Sequence, residues 1–327
     1  MSAPDRPLLA LTLGDPAGIG PEVSLAALRD ARVRAAARVV ALGPARFRPA
    51  HVPLVEPAGL GALEQAWIDT GEDGAWELGR PQASAGRAAL RALRLGAELA
   101  AAGAVDALVT APVSKEALHL AGERVEGQTE LLARWAGIDG EVEMLAMVRG
   151  LRVLLCTRHM PLRAALDALT EARVLDRLRL LDRGLRELGF ERPRLALAGL
   201  NPHAGENGLL GSEEDELLRP AAARARAQGL DVAGPESPDT VFLRALEGAY
   251  DGVLALYHDQ AFIPVKIAAP GEGVTVLLGL PYLRLSPAHG TAFDIAGTGR
   301  ASPENLVVAL LEAARLARRR AERVVRK

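Results

Sequence analysis

Cysteine occurs once in the 327-residue chain, as Cys156, and aromatic residues make up only 3% of it. A lone cysteine excludes an internal disulfide and any cysteine-rich metal site, and it fits a reducing compartment, so the expected location is the cytoplasm. With so few aromatics, the core has to be assembled from Ala, Leu and Val. Neither sign of charge dominates: 39 Lys+Arg against 41 Asp+Glu give a net charge of −2. That provides no basic field for a phosphate backbone or an anionic membrane surface. No apolar run reaches the ~18 residues of a membrane span, and the first residues lack the basic-then-apolar order of a signal peptide. The dinucleotide fingerprint Gly-x-Gly-x-x-Gly and the P-loop are also missing; Gly297-Thr298-Gly299 lacks the third glycine. An ordinary Rossmann domain and an ordinary NTPase are therefore disfavoured. No linker-like tract, repeat or low-complexity segment divides the chain, whose length suits two domains or one large one.

What is present is alternation. Short apolar runs at Leu8–Leu13, Arg38–Leu42, Ala107–Val109, Met144–Val148, Val153–Cys156, Leu195–Ala198, Val253–Tyr257 and Val274–Leu278 read as strands. Helix-length segments lie between most of them, including Pro21–Arg29, Ser84–Ala102, Glu171–Leu188 and Ser212–Gln228, with Ser84 and Ser212 as candidate caps. This is an α/β pattern with a largely parallel sheet. Between Val148 and Leu151 only a tight turn at Arg149-Gly150 fits, so one antiparallel hairpin is expected and the sheet is mixed. A last helix, about Pro303 to Arg326, ends in arginines that complement its macrodipole, and the acidic run Glu213–Glu216 suits the start of the helix after Ser212.

In open α/β sheets ligands bind beyond the carboxyl ends of the strands. Three strand candidates run into histidine there: Thr157-Arg158-His159, Asn201-Pro202-His203-Ala204-Gly205-Glu206 and His258-Asp259-Gln260. Three neutral imidazoles converging on one cleft would hold a divalent metal and leave a coordination position for a substrate oxygen. The spacing is that of successive α/β units rather than of a local motif, and each histidine alone also reads as a hydrogen-bonded loop residue. His51 and His119 read as structural or surface residues, and His289 as a loop hydrogen bonder. Two further loops come directly after strands: Gly14 to Glu22, whose glycines permit a tight path ahead of Pro21 at a helix start, and Thr110 to Lys115. Lysine is scarce, so Lys115, Lys266 and Arg284, each beside an apolar run, suggest a small anionic substrate, with surface salt bridges as the alternative. Cys156 lies inside an apolar strand and reads as a buried, inert thiol.

At these same positions the chain resembles the 4-hydroxythreonine-4-phosphate dehydrogenase (PdxA) family of vitamin B6 biosynthesis. The motifs are Gly-Asp-Pro-Ala-Gly-Ile-Gly-Pro-Glu at 14–22, Thr-Ala-Pro-Val-Ser-Lys at 110–115, Gly-x-Thr-Glu at 127–130 and Thr-x-His-x-Pro-Leu-Arg at 157–163. They continue with Gly-Leu-Asn-Pro-His-Ala-Gly-Glu at 199–206, Gly-Pro-x-x-x-Asp-Thr at 234–240, Tyr-His-Asp-Gln at 257–260 and Leu-Gly-Leu-Pro-x-x-Arg at 278–284. The resemblance implies two α/β/α domains of the isocitrate/isopropylmalate dehydrogenase-like type with a mixed sheet. The expected first domain is 1–125 plus 285–327, and the second, dimer-forming one is 126–284.

It also implies an oxidoreductase that uses NAD or NADP and one divalent metal, Zn, Mg, Mn or Co, held by His159, His203 and His258 at a homodimer interface, one of the three coming from the partner chain. Substrate contacts fall on Gln128, Thr129, Lys266, Thr275 and Arg284. Gln128 stands where a histidine is usual and Thr275 where an asparagine is usual; glutamine hydrogen-bonds but carries no charge near neutral pH. The implied reaction is oxidation of 4-phosphooxy-L-threonine to 2-amino-3-oxo-4-phosphooxybutanoate, which loses CO₂ to give 3-amino-2-oxopropyl phosphate. 4-Phospho-D-threonate or 4-phospho-D-erythronate is the alternative substrate. Lys115, Asp239 and Asp259 are the candidate proton acceptors. From other classes, a metal-dependent phosphohydrolase or acyl-phosphate transferase would release phosphate and ignore NAD, and a metabolite sensor would bind without turnover.

Overall fold

The computed structural model describes residues 6–61, 63–71, 74–138 and 142–325. The first five residues and Arg326, both used in the sequence reading, lie outside the described residues. The chain divides into two compact units, one running to Val142 and resuming at Val274, the other spanning Glu143–Gly273. The strands are β1 (Leu8–Thr12), β2 (Arg38–Gly43), β3 (Gln65–Asp69), β4 (Ala107–Thr110), β5 (Glu143–Val148), β6 (Leu151–Leu155), β7 (Arg194–Ala198), β8 (Asp231–Glu236), β9 (Gly252–Ala255), β10 (Val274–Leu278) and β11 (Arg284–Pro287).

In the first unit the strand order is β3-β2-β1-β4-β11-β10. All neighbours are parallel except β10 and β11, which pair antiparallel with Thr275 opposite Ser286. The central strand β1 is buried along its whole length, as a strand covered on both faces must be. Helices Ala83–Ala101 and Glu304–Val325 pack on this sheet, the first through an alanine-rich face, the second through Leu306, Leu310, Ala313 and Leu316. Trp67 is the largest fully buried side chain, and its indole N–H donates to the Gly43 carbonyl at 2.9 Å.

In the second unit the order is β5-β6-β9-β7-β8. β5 and β6 form the antiparallel hairpin expected around Arg149-Gly150, with Arg149 itself at φ 51°; the other neighbours are parallel. Val153 and Leu155 of β6 pack with Phe242, Ala261 and Val265 from helices Val241–Leu246 and His258–Ala268 in one core. Helix Glu171–Glu187 packs on β7, β9 and β6.

Three strands escaped the sequence reading, each for a local reason. β8 carries Gly234 and Pro235, β11 starts on Arg284 and ends on Pro287, and β3 has polar residues at both ends. Two caps are corrected. Ser84 lies inside helix Ala83–Ala101 and Gln82 at its cap makes no side-chain bond, while the turn after Ser212 is a π-helix, Glu214–Leu218, whose cap position, Glu213, makes none either. Ser114 and Thr170 are true caps, accepting from Ala117 N at 3.1 Å and Arg173 N at 3.2 Å. Among the described residues no helix is long and apolar enough to cross a membrane.

Candidate functional site

The first unit buries a cationic side chain at a corner, the candidate anion corner, where β4 and β11 lie side by side. Arg284 opens β11 and is 3% exposed. Its Nη2 donates to Thr110 Oγ1 at 2.6 Å and to Gln128 Oε1 at 3.2 Å, and Gln128 Nε2 donates to the Ala111 carbonyl at 3.3 Å. The Arg284 Nε has no hydrogen-bond partner. Burial pushes the guanidinium down to about 10, against the raising fields of Tyr282 and Glu130. A buried cation with one N–H edge unspent is arranged to receive an anion. Thr129 comes after Gln128 in the first turn of helix Gln128–Trp135, Thr275 is buried on β10, and Lys115 is exposed at the start of helix Lys115–Leu120 with its Cε beside Gly127.

Next to this corner runs the glycine-rich loop after β1. Gly14 has φ 72°, and a Cβ there would sit 2.3 Å from the Pro112 carbonyl oxygen, so only glycine lets the two loops close. Asp15 N donates to that same carbonyl at 2.9 Å. The Asp15 carboxyl is wholly buried; Oδ1 accepts from Ala17 N at 2.9 Å and Oδ2 has no partner. Burial pushes it up to about 6, with the Ala17 and Ser114 backbone N–H groups pulling the other way. In the sequence Asp15 is legible only as part of the loop; an acidic residue three positions beyond the end of β1 is the signal that points to it. His119 Nε2 meets the Val125 carbonyl at 2.8 Å and His289 Nδ1 the Gly290 carbonyl at 3.0 Å, both local loop contacts.

The second unit holds the histidines. Cys156 directly follows β6, buried and pushed up to about 12 by that burial, which makes it an inert thiol. Thr157 then bonds the Leu256 carbonyl through both N–H and hydroxyl, at 3.2 and 2.8 Å, locking the end of β6 to the segment after β9. This brings His159 and His258 together with ring centroids 5.4 Å apart. They line a cavity of about 270 Å³ with Arg158, Met160, Tyr257 and Asp259. His258 Nδ1 lies 2.7 Å from Asp259 Oδ1, and its ring stacks on Phe262 at 4.6 Å. A carboxylate on Nδ1 fixes the ring and leaves Nε2 for a cation, so this pair suits a borderline divalent ion. Arg158 is anchored by the buried Glu143, which also pairs with Arg177 at 2.8 Å.

His203 is not in that pair, although the spacing of the sequence put three histidines on one cleft. It is exposed, in a loop beyond β7, near enough to Asp239 for its field to favour the Asp239 carboxylate. The larger influence there is the Ser237 hydroxyl, which donates to Asp239 Oδ1 at 2.6 Å and holds the carboxyl below its usual range. Among the described residues no three His, Cys, Asp or Glu side chains of one chain converge to hold a metal. Lys266 is exposed on helix His258–Ala268. A second, apolar cavity of about 540 Å³ lies between Phe242, Leu243 and Leu246 on one side and Ile263 and Ile267 on the other, with Asp239 and Asp259 also on its wall. Gln260 went unnoticed in the sequence: its Oε1 accepts from Leu256 N and its Nε2 donates to the Gly199 carbonyl, each at 2.7 Å. It ties the segment leading to His258 to the segment leading to His203.

Strand-end loops carrying a buried guanidinium in one unit and a carboxylate-oriented imidazole pair in the other define an α/β enzyme. A family model described as "Pyridoxal phosphate biosynthetic protein PdxA" matches residues 26–313, and the chain belongs to this family. It is 43% identical to D-threonate 4-phosphate dehydrogenase of Salmonella typhimurium over 323 residues, covering 94% of this chain and 98% of the relative. It is 41% identical to 4-hydroxythreonine-4-phosphate dehydrogenase of Geobacter metallireducens over 327 residues, covering 96% of each. The crystal structure of 4-hydroxythreonine-4-phosphate dehydrogenase from Klebsiella pneumoniae matches with a TM-score of 0.86 at 41% identity, covering 95% of this chain and 99% of that one. The chain is therefore a dehydrogenase of the PdxA family with the mixed α/β fold of these structures.

Proposed function

We propose that the protein oxidises the secondary hydroxyl of 4-phosphooxy-L-threonine with NAD or NADP. The product is 2-amino-3-oxo-4-phosphooxybutanoate, whose carboxylate is β to the new carbonyl and leaves as CO₂, giving 3-amino-2-oxopropyl phosphate for pyridoxal phosphate synthesis. The observation that carries this reading is the His159–His258 pair with Asp259 behind one ring. His159, His258 and His203 are the residues that would hold the divalent ion, zinc being the ion their chemistry suits well. When bound, the ion supplies Lewis-acid stabilisation to the oxygen that loses its proton, and the nicotinamide supplies the hydride acceptor.

The chain's own residues do the rest. Arg284, directed by Thr110 and Gln128, takes an anionic group of the substrate through its free edge, with Thr129 and Thr275 as hydroxyl partners. Lys115, Asp239 and Asp259 are the candidate proton acceptors; Asp239 accepts from the Ser237 hydroxyl and Asp259 is engaged with His258. A single chain offers two histidines in one place and the third elsewhere, which supports a homodimer in which a second copy completes the set. The exposed Leu243, Ile263 and Ile267 around the apolar cavity give that copy a surface to cover. The lone buried cysteine supports a cytoplasmic setting.

A second reading, oxidation of 4-phospho-D-threonate, is favoured by the 43% identity to the Salmonella typhimurium enzyme and by an uncharged Gln128 at the anion corner. The test is NADH formation by the purified protein with 4-phosphooxy-L-threonine, 4-phospho-D-threonate and 4-phospho-D-erythronate. Highest kcat/KM with the first supports the main reading; preference for either acid lacking the amino group moves the enzyme to the second.

A further inference from the structure

The loop that carries His203 has an unusual backbone. Five consecutive residues take left-handed angles: His203 (φ 53°, ψ 30°), Ala204 (53°, 45°), Gly205 (78°, −6°), Glu206 (44°, 52°) and Asn207 (58°, 38°). Four of the five have a Cβ, and left-handed helical geometry costs such residues roughly 1–2 kcal/mol each. Only strong outside contacts keep a turn of this kind. Those contacts converge on one side chain, Glu214. It is 1% exposed and lies in the π-helix Glu214–Leu218. Its Oε1 accepts from Leu200 N and from Asn201 N, each at 2.8 Å, and its Oε2 accepts from Asn201 Nδ2 at 2.8 Å. All three bonds go to the two residues that lead into the left-handed turn. The turn in turn closes on Glu214, since a Cβ on Gly205 would lie 2.8 Å from Oε2. A buried carboxylate receiving three N–H groups is a rigid, charge-assisted anchor.

We propose that Glu214 is the positioning residue for His203: by holding Leu200 and Asn201 it fixes the left-handed turn and so the direction in which His203 presents its imidazole to a metal ion. The inference rests on the reading that His203 is a metal ligand. Glu214 acts through the loop, its bonds going to Leu200 and Asn201, so its loss is expected to weaken metal binding about tenfold, the low end of the 10–100-fold typical for a partner bonded to the ligating ring itself.

The experiment titrates Co(II) into the metal-free full-length protein by calorimetry and records the visible d–d absorption of the bound ion. The variants are Glu214→Gln, Asn201→Ala and His203→Ala. Glu214→Gln keeps the two backbone bonds but sets an amide donor against Asn201 Nδ2, and Asn201→Ala removes that bond, together with the 2.8 Å bond from Asn201 Nδ2 to Glu213 Oε2, while leaving Glu214 and its two backbone bonds in place. Both are expected to weaken Co(II) about tenfold or more and to change the shape of the d–d bands, with Glu214→Gln only part-way to His203→Ala. A merely structural role would lower the folded fraction without changing the spectrum of what binds. Wild-type affinity and spectrum in Glu214→Gln and Asn201→Ala, with binding lost in His203→Ala, would overturn the proposal while leaving His203 as ligand. Undiminished binding in His203→Ala would overturn the underlying reading instead. If Glu214→Gln does not fold, Asn201→Ala decides the matter alone.

Discussion

The anion corner and the histidine pair solve opposite problems with the same tactic of placing polar groups where buried strands end. Arg284 is shut away from water, and burial has already lowered its affinity for a proton. Its neighbours Thr110 and Gln128 are neutral, so the charge is left for a ligand to neutralise. His258 is partly exposed and has its carboxylate partner in place, yet a single chain gives it only one other imidazole. The first region finds its hydrogen-bond partners within one unit of one chain; the second brings together two imidazoles and one carboxylate. Desolvation raises the worth of each ligand contact at the corner, whereas at the histidines that worth depends on how many donors assemble.

Four substitutions would break or sharpen this contrast. The largest effect belongs to His258→Ala, which should remove metal-dependent turnover by roughly 10³-fold or more, since an ion of this kind contributes several kcal/mol to the transition state; kcat with saturating metal is the readout. Arg284→Met should come next, raising KM for a phosphorylated acid by about 30–1,000-fold with a smaller change in kcat, as expected for a buried charged contact worth ~2–4 kcal/mol. Asp259→Asn should cost about 10–100-fold in metal affinity with little change in the substrate contacts of the other unit.

The smallest effect is on stability. Asp15 binds a proton more readily when folded than when unfolded, its carboxyl moving from 3.8 to about 6. Its favourable contribution is therefore full below pH 3.8 and lost as pH rises through 6. Asp15→Asn keeps an oxygen for the Ala17 N–H and carries no charge, so above pH 6 it should be more stable than the wild type by ~1–3 kcal/mol. The difference should vanish below about pH 4; thermal unfolding at about pH 4 and pH 8 measures it.

Much of this was legible in the residues themselves. Runs such as Leu8–Leu13 and Val253–Tyr257 are apolar because both faces of their strands are covered, and that same burial forces the polar chemistry to their ends. His159, Arg284 and the Gly14 loop could therefore be found by looking at the polar residues that flank each apolar run. β8 and β11 were hidden because glycine, proline and arginine interrupt them, and those interruptions are where the chain turns toward ligands. Glu214, Gln260 and Glu143 were missed for a different reason. Each works through partners distant in sequence, and an acidic residue at a helix start looks the same whether it meets solvent or anchors a loop. The separation of His203 from His159 and His258 could not be read from spacing, which reports that residues share a sheet edge and not that they meet; the family resemblance alone implied that one of the three comes from a partner chain.

The central claim is that an imidazole-held metal ion serves a dehydrogenase reaction. It is tested most directly by monitoring NADH formation from 4-phosphooxy-L-threonine and from 4-phospho-D-threonate with chelator-treated protein, before and after a divalent ion is restored, in wild type and His258→Ala. The account predicts turnover that disappears with the metal, returns with it in the wild type and does not return in His258→Ala. NADH formation indifferent to both chelator and substitution, or phosphate release without NADH, would contradict it.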